Sequence, residues 1–249
     1  MMTHDLTIEL PPPALLALSG TALFLDLDGT LAPIAARPQD VAPDPRRTGL
    51  LERLARRLDG RLAVISGRTL ADVDRILEGC VTAVAAVHGL VMRRPDGGLS
   101  VTPPHAELAA ATAAFTDFAR QDAGLLVEPK GQSVALHYRL APQFAPAARD
   151  RARALAARSG LTLQEGAMVA ELRTPGPSKG DSILAFMSAA PFAGARPVFV
   201  GDDITDEDGF KAVQMLGGLG VRVGPRAATA ARFRLDDVKT ALAWLEAAR

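Results

Sequence analysis

The stretch that most constrains this chain is Thr21 to Pro33, TALFLDLDGTLAP, in which an apolar run from Ala22 to Leu25 stops at Asp26 and is followed by Leu27, Asp28, Gly29 and Thr30. A short apolar run closed by a turn signal is the signature of a buried strand of a parallel sheet. Such a strand carries its terminal carboxylates to the carboxyl edge of the sheet, where open α/β sheets place their chemistry. Two positions apart on an extended chain, Asp26 and Asp28 project to the same side. Asp26 can attack a phosphorus atom and become an aspartyl-phosphate, while Asp28 can protonate the leaving oxygen and later activate water. Gly29 permits the sharp turn out of the strand, and the Thr30 hydroxyl is placed to hold a local hydrogen bond. An ordinary solvated strand-end turn uses the same residue types, so the rest of the chain has to decide between the two.

Beyond this strand the pattern is repetitive. Residues 1–20 read as a lead-in with a short helix over Ala14 to Leu18, and 35–45 as a proline-bearing loop. Leu50, Leu51, Leu54 and Leu58 recur at helical spacing, and Arg61 to Ile65 forms a second strand ending in Ser66-Gly67-Arg68. Val73, Ile76 and Leu77 share a helix face, and Ala83 to Val87 makes a third strand ending in His88-Gly89. Strand, helix, strand, helix, strand implies a parallel sheet. After a hairpin turn at 93–98 and the Pro103-Pro104 pair the grammar changes to helix (about 104–122), two strands (125–128, 133–139), helix (about 143–158) and two strands (161–164, 168–173) joined by the 165–167 turn. That order predicts an antiparallel sheet with helices on one face. The parallel pattern resumes at Ser178-Lys179-Gly180-Asp181 with a helix, continues through a strand at Pro197 to Val200 ending in Gly201-Asp202-Asp203, a helix opened by Asp206, a last core strand at Gly220 to Val223, and an amphipathic helix over Val238 to Leu245. The expectation is an α/β chain: a Rossmann-like core from residues 1–102 and 174–249, interrupted by an α+β insert over 103–173.

Composition sets limits on function. A chain of 249 residues that is 48% hydrophobic and 22% charged can bury a core. Its formal net charge of zero argues against general nucleic-acid binding, so an anionic substrate needs a local positive cluster. Cys80 is the only cysteine, which fits a reducing compartment. No apolar run reaches transmembrane length. The N-terminus carries Asp5, Glu9 and three prolines in place of a basic region followed by an apolar one, which points to the cytoplasm and no membrane contact.

The strand ends gather a consistent set of groups. Besides Asp26 and Asp28, the second strand brings Ser66, whose hydroxyl can donate to a phosphate oxygen, and Lys179 brings a fixed positive charge. Asp202, backed by Asp203 and Asp206, completes an acidic cluster. Carboxylates crowded at one sheet edge repel unless a cation sits between them, and oxygen ligands with phosphate chemistry suit Mg²⁺. Each element has a plainer reading: acidic residues favour a helix N-terminus, Ser66-Gly67 can be an N-cap turn, and His88 can be a satisfied core histidine. Lysine, however, is unfavourable near a helix N-terminus, so Lys179 favours an anionic partner. In the insert, Val134, Leu136 and Tyr138 alternate with Ser133, Ala135, His137 and Arg139, and Val169, Glu171 and Arg173 lie opposite Met168, Ala170 and Leu172. Glu128 and Lys130 share parity as well. One face is therefore apolar and the other carries charges of both signs, which suits sugar hydroxyls and also a wet open face.

This arrangement resembles the haloacid dehalogenase superfamily motif by motif: DLDGT at 26–30, Ser66, Lys179, and Gly201-Asp202-Asp203 with Asp206, with the insert placed like that family's C2-type caps. It more closely resembles the trehalose-6-phosphate phosphatase family, through DLDGTLAPI at 26–34, SGR at 66–68, HG at 88–89, E-P-K at 128–130, SVALHYR at 133–139, E-L-R at 171–173, SKG at 178–180 and GDDITDEDGF at 201–210. The resemblance implies Asp26 as nucleophile and Asp28 as acid/base, assisted by Ser66 and Lys179. It implies Mg²⁺ held by Asp26, the Asp28 backbone carbonyl and Asp202, with Asp206 in the same metal cluster. Glu128, Lys130 and Glu171 correspond to sugar-recognising positions, and Thr30, Arg68, His88 and Arg139 are expected as further substrate contacts. The implied substrate is trehalose 6-phosphate, with a functional link to the synthase that makes it. Phosphatases of mannosyl-3-phosphoglycerate or sucrose phosphate, and a catalytically silent regulatory domain, are the rival readings. Gly209 stands where the family more often has alanine.

Overall fold

A computed structural model describes residues 10–225 and 228–249. Asp5, Glu9 and the alternative starts at Met1 and Met2 lie outside them. In chain order the elements are β1 (Thr21–Leu25), α1 (Pro45–Arg57), β2 (Leu62–Ile65), α2 (Leu70–Leu77), β3 (Ala83–Ala86), β4 (Val91–Arg93), β5 (Leu99–Val101), α3 (Leu108–Ala119), β6 (Leu126–Pro129), β7 (Ser133–His137), α4 (Ala145–Ser159), β8 (Thr162–Gly166), β9 (Val169–Arg173), α5 (Lys179–Met187), β10 (Arg196–Gly201), α6 (Glu207–Met215), β11 (Leu219–Val223), β12 (Phe233–Leu235) and α7 (Val238–Glu246).

Eight strands form one sheet in the order β12-β11-β10-β1-β2-β3-β4-β5, parallel from β12 to β3 and antiparallel at β4 and β5. β1 lies near the middle, paired with β10 on one side and β2 on the other. Its five residues are all buried, and they still alternate: Leu23 and Leu25 join the apolar cluster that includes Leu50, Leu51, Val73 and Leu245, while Ala22 and Phe24 join Ile183, Phe186, Phe192 and Phe210 on the other face. Helices α1, α2 and α7 thus cover one side of the sheet, and α5 and α6 the other. Capping fixes where several begin. The Asp44 side chain accepts from the Arg46 N–H, with Pro45 opening α1; Thr69 accepts from the Asp72 N–H; Ser178 and Asp181 form a reciprocal capping box on α5. Each such cap is worth about 1 kcal/mol.

Residues 126–173 form a separate antiparallel sheet, order β6-β7-β9-β8. Val134, Leu136, Ala170 and Leu172 face α3 and α4 in a third apolar cluster with Phe115 and Leu155. The register aligns Glu128, Ala135, Glu171 and Gln164 in one row across all four strands. The alternation in the sequence therefore matches a face packed on helices and a face left polar.

Three details depart from the sequence reading. Ala14 to Leu18 forms no helix, because its backbone is claimed by the C-terminus: the Leu18 N–H donates to the Arg249 carbonyl (2.7 Å), the Arg249 N–H to the Leu16 carbonyl (3.0 Å), and the Trp244 indole to the Ala14 carbonyl (2.8 Å). β11 is not the last strand of the sheet, since the three-residue β12 adds parallel to it. β8 also runs through Gly166, so the turn falls at 167–168, where Met168 takes a positive φ of 63°. Gly209 has a packing reason: a Cβ there would lie 2.4 Å from the Phe199 ring.

Candidate active site

Asp26 leaves β1 4% exposed, its backbone N–H bonded to the Val200 carbonyl of β10 (2.9 Å). Lys179, at the start of α5, donates from Nζ to Asp26 Oδ1 (2.8 Å) and to Asp206 Oδ1 (2.6 Å). Asp206 Oδ2 in turn accepts the backbone N–H groups of Asp202 (2.8 Å) and Asp203 (3.0 Å). Carboxylate oxygens of Asp26, Asp202 and Asp206 all fall within 4.8 Å of one another. Glycines allow this crowding. Gly29, at φ +77°, would place a Cβ 2.0 Å from the Asp202 carboxylate, and Gly201 would place one 2.5 Å from that of Asp206.

Charge in this cluster is short on the positive side. Burial, with Asp206 and Asp202 adding to it, pushes the Asp26 carboxyl well above its ordinary range against the pull of Lys179. Asp202 is pushed up to about 7, by burial first and then by Asp206. Burial opposes the Lys179 charge, yet Asp206 and Asp26 outweigh it and raise that ammonium. One lysine is shared among three carboxylates, and hard oxygen donors with unmet negative charge fit a hard divalent cation. Asp206 has its two oxygens taken by three donors, so it anchors Lys179 and the 201–206 loop and offers the cation less than Asp26 or Asp202 does.

Asp28 faces Arg68, which grips it with two hydrogen bonds (Nε–Oδ2 2.6 Å, Nη2–Oδ1 2.7 Å) while Nη1 donates to the Pro38 carbonyl (2.8 Å). The expected substrate contact Arg68 is thus committed to Asp28. Ser66 is buried, and its Oγ accepts from the Arg68 N–H (3.2 Å). Thr30 does not behave as expected: it is fully buried, it does not line the cleft, and its hydroxyl has no partner among the described residues. The turn is closed by backbone instead, through Gly29 N–H to Ala32 O and Leu31 and Ala32 N–H to Leu27 O.

The polar face of the small sheet lies over these groups. Lys130 Nζ donates to Glu171 Oε2 (3.0 Å) and to the Gly67 carbonyl next to Ser66 (3.0 Å), and stands 3.7 Å from Glu128. Glu128 Oε2 also meets His137 Nε2 at 2.7 Å. Burial alone would raise both glutamates; Lys130 and His88 hold Glu171 far below the carboxylate range, and His137 and Lys130 hold Glu128 below it. His88 is buried, lies 3.5 Å from Glu171 and contacts Gln164 at 2.9 Å, and burial lowers its pKa, keeping the ring neutral. Val87 and His88 both have positive φ (47° and 57°), a conformation costing on the order of 1–3 kcal/mol per residue. Gly67 makes room for the ring, since a Cβ there would lie 2.5 Å from it. Arg139 sits at the rim and donates to the Ala167 carbonyl (2.7 Å).

Together these residues line one open cleft of about 170 Å³: Asp26, Asp28, Ser66, Arg68, Lys179 and Asp202 from the large sheet, His88 beneath, and Glu128, Lys130, Arg139 and Glu171 from the small one. His137, Ile34 and Arg37 also line it and were given no role from sequence. His137 was legible only as one of the polar alternates on β7. Gln164, the partner of His88, carries no charge or motif to mark it.

This central sheet, with acidic residues at the ends of β1 and β10 and a lysine between, gives the chain the fold of a solved phosphatase of the haloalkanoate (HAD) enzyme superfamily from Bacteroides thetaiotaomicron, at a TM-score of 0.61 and 16% identity, covering 98% of this chain and 96% of that one. Within that fold, the family model for trehalose-phosphatase matches residues 24–239, and the chain belongs to that family. It is 41% identical over 228 residues to the trehalose-6-phosphate phosphatase of Escherichia coli, covering 90% of this chain and 85% of that one. It is 40% identical over 217 residues to a probable trehalose-phosphate phosphatase of Sinorhizobium fredii, covering 84% and 79%. A solved trehalose-6-phosphate phosphatase related protein superposes with a TM-score of 0.75 at 27% identity, covering 90% of this chain and 95% of that one.

Proposed function

We propose that this chain hydrolyses trehalose 6-phosphate to trehalose and phosphate, with residues 1–102 and 174–249 as the catalytic core and 103–173 as a cap that reads the sugar. The observation that carries the reading is the meeting, in one cleft, of a lysine-bound aspartate with a face of paired glutamates and lysine. Asp26 attacks phosphorus; the P–O bond to the sugar breaks, and Asp28 delivers a proton to the departing oxygen. Water, deprotonated by Asp28, then attacks the aspartyl-phosphate and frees orthophosphate. Because a guanidinium only donates, the proton that Asp28 carries goes on a lone pair that Arg68 leaves free. Lys179 and Ser66 face the phosphoryl oxygens and share their charge.

Asp26, the Asp28 carbonyl and Asp202 are the groups that would hold Mg²⁺. When bound, it supplies the positive charge that the carboxylates lack and draws charge from the phosphoryl group. Glu128, Lys130 and Glu171 accept from and donate to sugar hydroxyls, Arg139 closes the rim, and His88 holds Glu171 in place. Thr30 has no part in this reading. A single cysteine and the lack, among the described residues, of a helix long and apolar enough to cross a membrane support work in the cytoplasm, next to the synthase that supplies the phosphorylated disaccharide. The test is phosphate release across trehalose 6-phosphate, sucrose 6-phosphate, mannosyl-3-phosphoglycerate and glucose 6-phosphate, with and without Mg²⁺. Preference for trehalose 6-phosphate by at least tenfold in kcat/KM is expected. Equal rates on all four would remove the assignment, and no release on any would leave a silent domain.

A further inference from the structure

Behind the cleft lies a second cavity, of about 270 Å³, that shares His88, Lys179 and Thr205 with it and is otherwise walled by residues that include Gln164, Arg173 and Ser178. Arg173 is the anomaly there. It ends β9 only 6% exposed, one terminal nitrogen donates to the Pro177 carbonyl and the other reaches Gln164 Oε1 at 3.4 Å, and Nε has no partner among the described residues. No described carboxylate pairs with it. Glu165, which lines the same cavity, is held by Arg153 (2.9 Å), Asp208 by Lys211 (3.6 Å), and Glu171 by Lys130 (3.0 Å). A buried guanidinium with no carboxylate in contact is costly, and burial lowers its pKa although Glu171, Asp181 and Asp208 pull the other way from further off. The cavity also meets the first turn of α5, whose dipole adds positive potential. A buried, planar guanidinium whose Nε is left over after the terminal nitrogens find acceptors is a group that takes an oxyanion.

We infer that this cavity is an oxyanion site anchored by Arg173, and that its occupant is the phosphate released at Asp26. The inference rests on the phosphatase reading for the identity of the anion. Lys179, which holds Asp26, lines both the cleft and this cavity, and the Gln164–His88 contact stands on their shared wall, so an anion released at Asp26 has the cavity next to it.

The experiment is calorimetric titration of the full chain with inorganic phosphate in the presence of Mg²⁺. Wild type should bind two phosphates per chain, one in the cleft and one at Arg173. Arg173→Gln should keep the first and lose the second, and Arg173→Lys, which preserves charge but not the fork, should weaken the second at least tenfold. Should Arg173→Gln fail to fold, Thr205→Val and Gln164→Leu on the same wall should each weaken the second site several-fold. A single site in wild type, or two undiminished sites in these variants, would overturn the inference. Failure of the sugar-phosphate panel would sink the functional reading and leave this count of sites standing, so the two failures are separable.

Discussion

The two halves of the cleft are built from the same ingredients and reach opposite electrostatic states. At the ends of β1 and β10, three carboxylates, two of them buried, share one lysine, and Asp26 and Asp202 are pushed upward. On the face of the small sheet, Glu128 and Glu171 meet Lys130, His137 and His88, and both are held low. The first half is incomplete as it stands and calls for a cation and an anionic ligand together. In the second, Lys130 lies against both glutamates, and donors and acceptors are fixed in place, which suits a ligand rich in hydroxyls and without charge. The contrast supports the proposed division, phosphate at one half and sugar at the other, without appeal to any relative.

The comparison breaks first at the nucleophile. Asp26→Asn should lower kcat roughly 10³-fold or more, with the fold intact by circular dichroism; substantial turnover in this variant would place the chemistry elsewhere. Excess chelator should likewise abolish phosphate release, with Mg²⁺ restoring it, whereas the face of the small sheet needs no ion.

A smaller effect separates the halves by substrate. A charged hydrogen bond contributes about 1.5–3 kcal/mol, so Glu171→Gln or Lys130→Ala should reduce kcat/KM on trehalose 6-phosphate by roughly tenfold to a hundredfold or more. An aryl phosphate, lacking the sugar, should lose far less. Equal losses on both substrates would mean that the two halves are not independent.

The pH dependence sharpens the same point. Asp202 titrates near 7 in the folded protein against 3.8 as the ordinary value, so folding takes up a proton between those values. This group's contribution to the stability of the metal-free protein therefore falls as pH rises from about 4 to 7. A divalent cation replaces that proton, so Mg²⁺ should raise Tm by several degrees at pH 8 and by little at pH 5.5. An increment independent of pH would contradict the charge shortage. Least in size is Gly209→Ala: the added methyl meets Phe199, and the overpacking, partly offset by better helix propensity, should cost about 1 kcal/mol by denaturant titration.

Much of this was legible from residues alone, and the exceptions have common causes. The uninterrupted apolar run before Asp26 announced a buried strand, and period-two alternation on β7 and β9 announced a polar face, because both patterns are local. β12 was missed since Phe233, Arg234 and Leu235 are half-buried and too few to show a period. The Ala14–Leu18 reading failed because tertiary partners, not propensity, set that backbone. The Arg68 grip on Asp28 spans 40 positions, and the His88–Gln164 contact spans 76. Neither pairing leaves a trace in spacing, and Gln164 had no chemical mark of its own. For Thr30, a motif position, residue type alone said nothing of the direction in which the hydroxyl would find itself.

The pairing of β1 with β10 has a consequence for how the chain is made. Asp26 and Lys179 stand 153 residues apart, and Thr21 aligns with Arg196, so the central strand finds its neighbour only when most of the chain exists. The β6–β9 sheet, by contrast, is contiguous in sequence and closes through short connections. On the ribosome the small sheet can consolidate while β1 waits with one flank unpaired, a state of high contact order and of exposed strand edge. A chain truncated after residue 175 and released from the ribosome should accordingly yield protease-resistant 103–173 and a digestible N-terminal segment, and chaperone dependence should track the delay before β10 emerges.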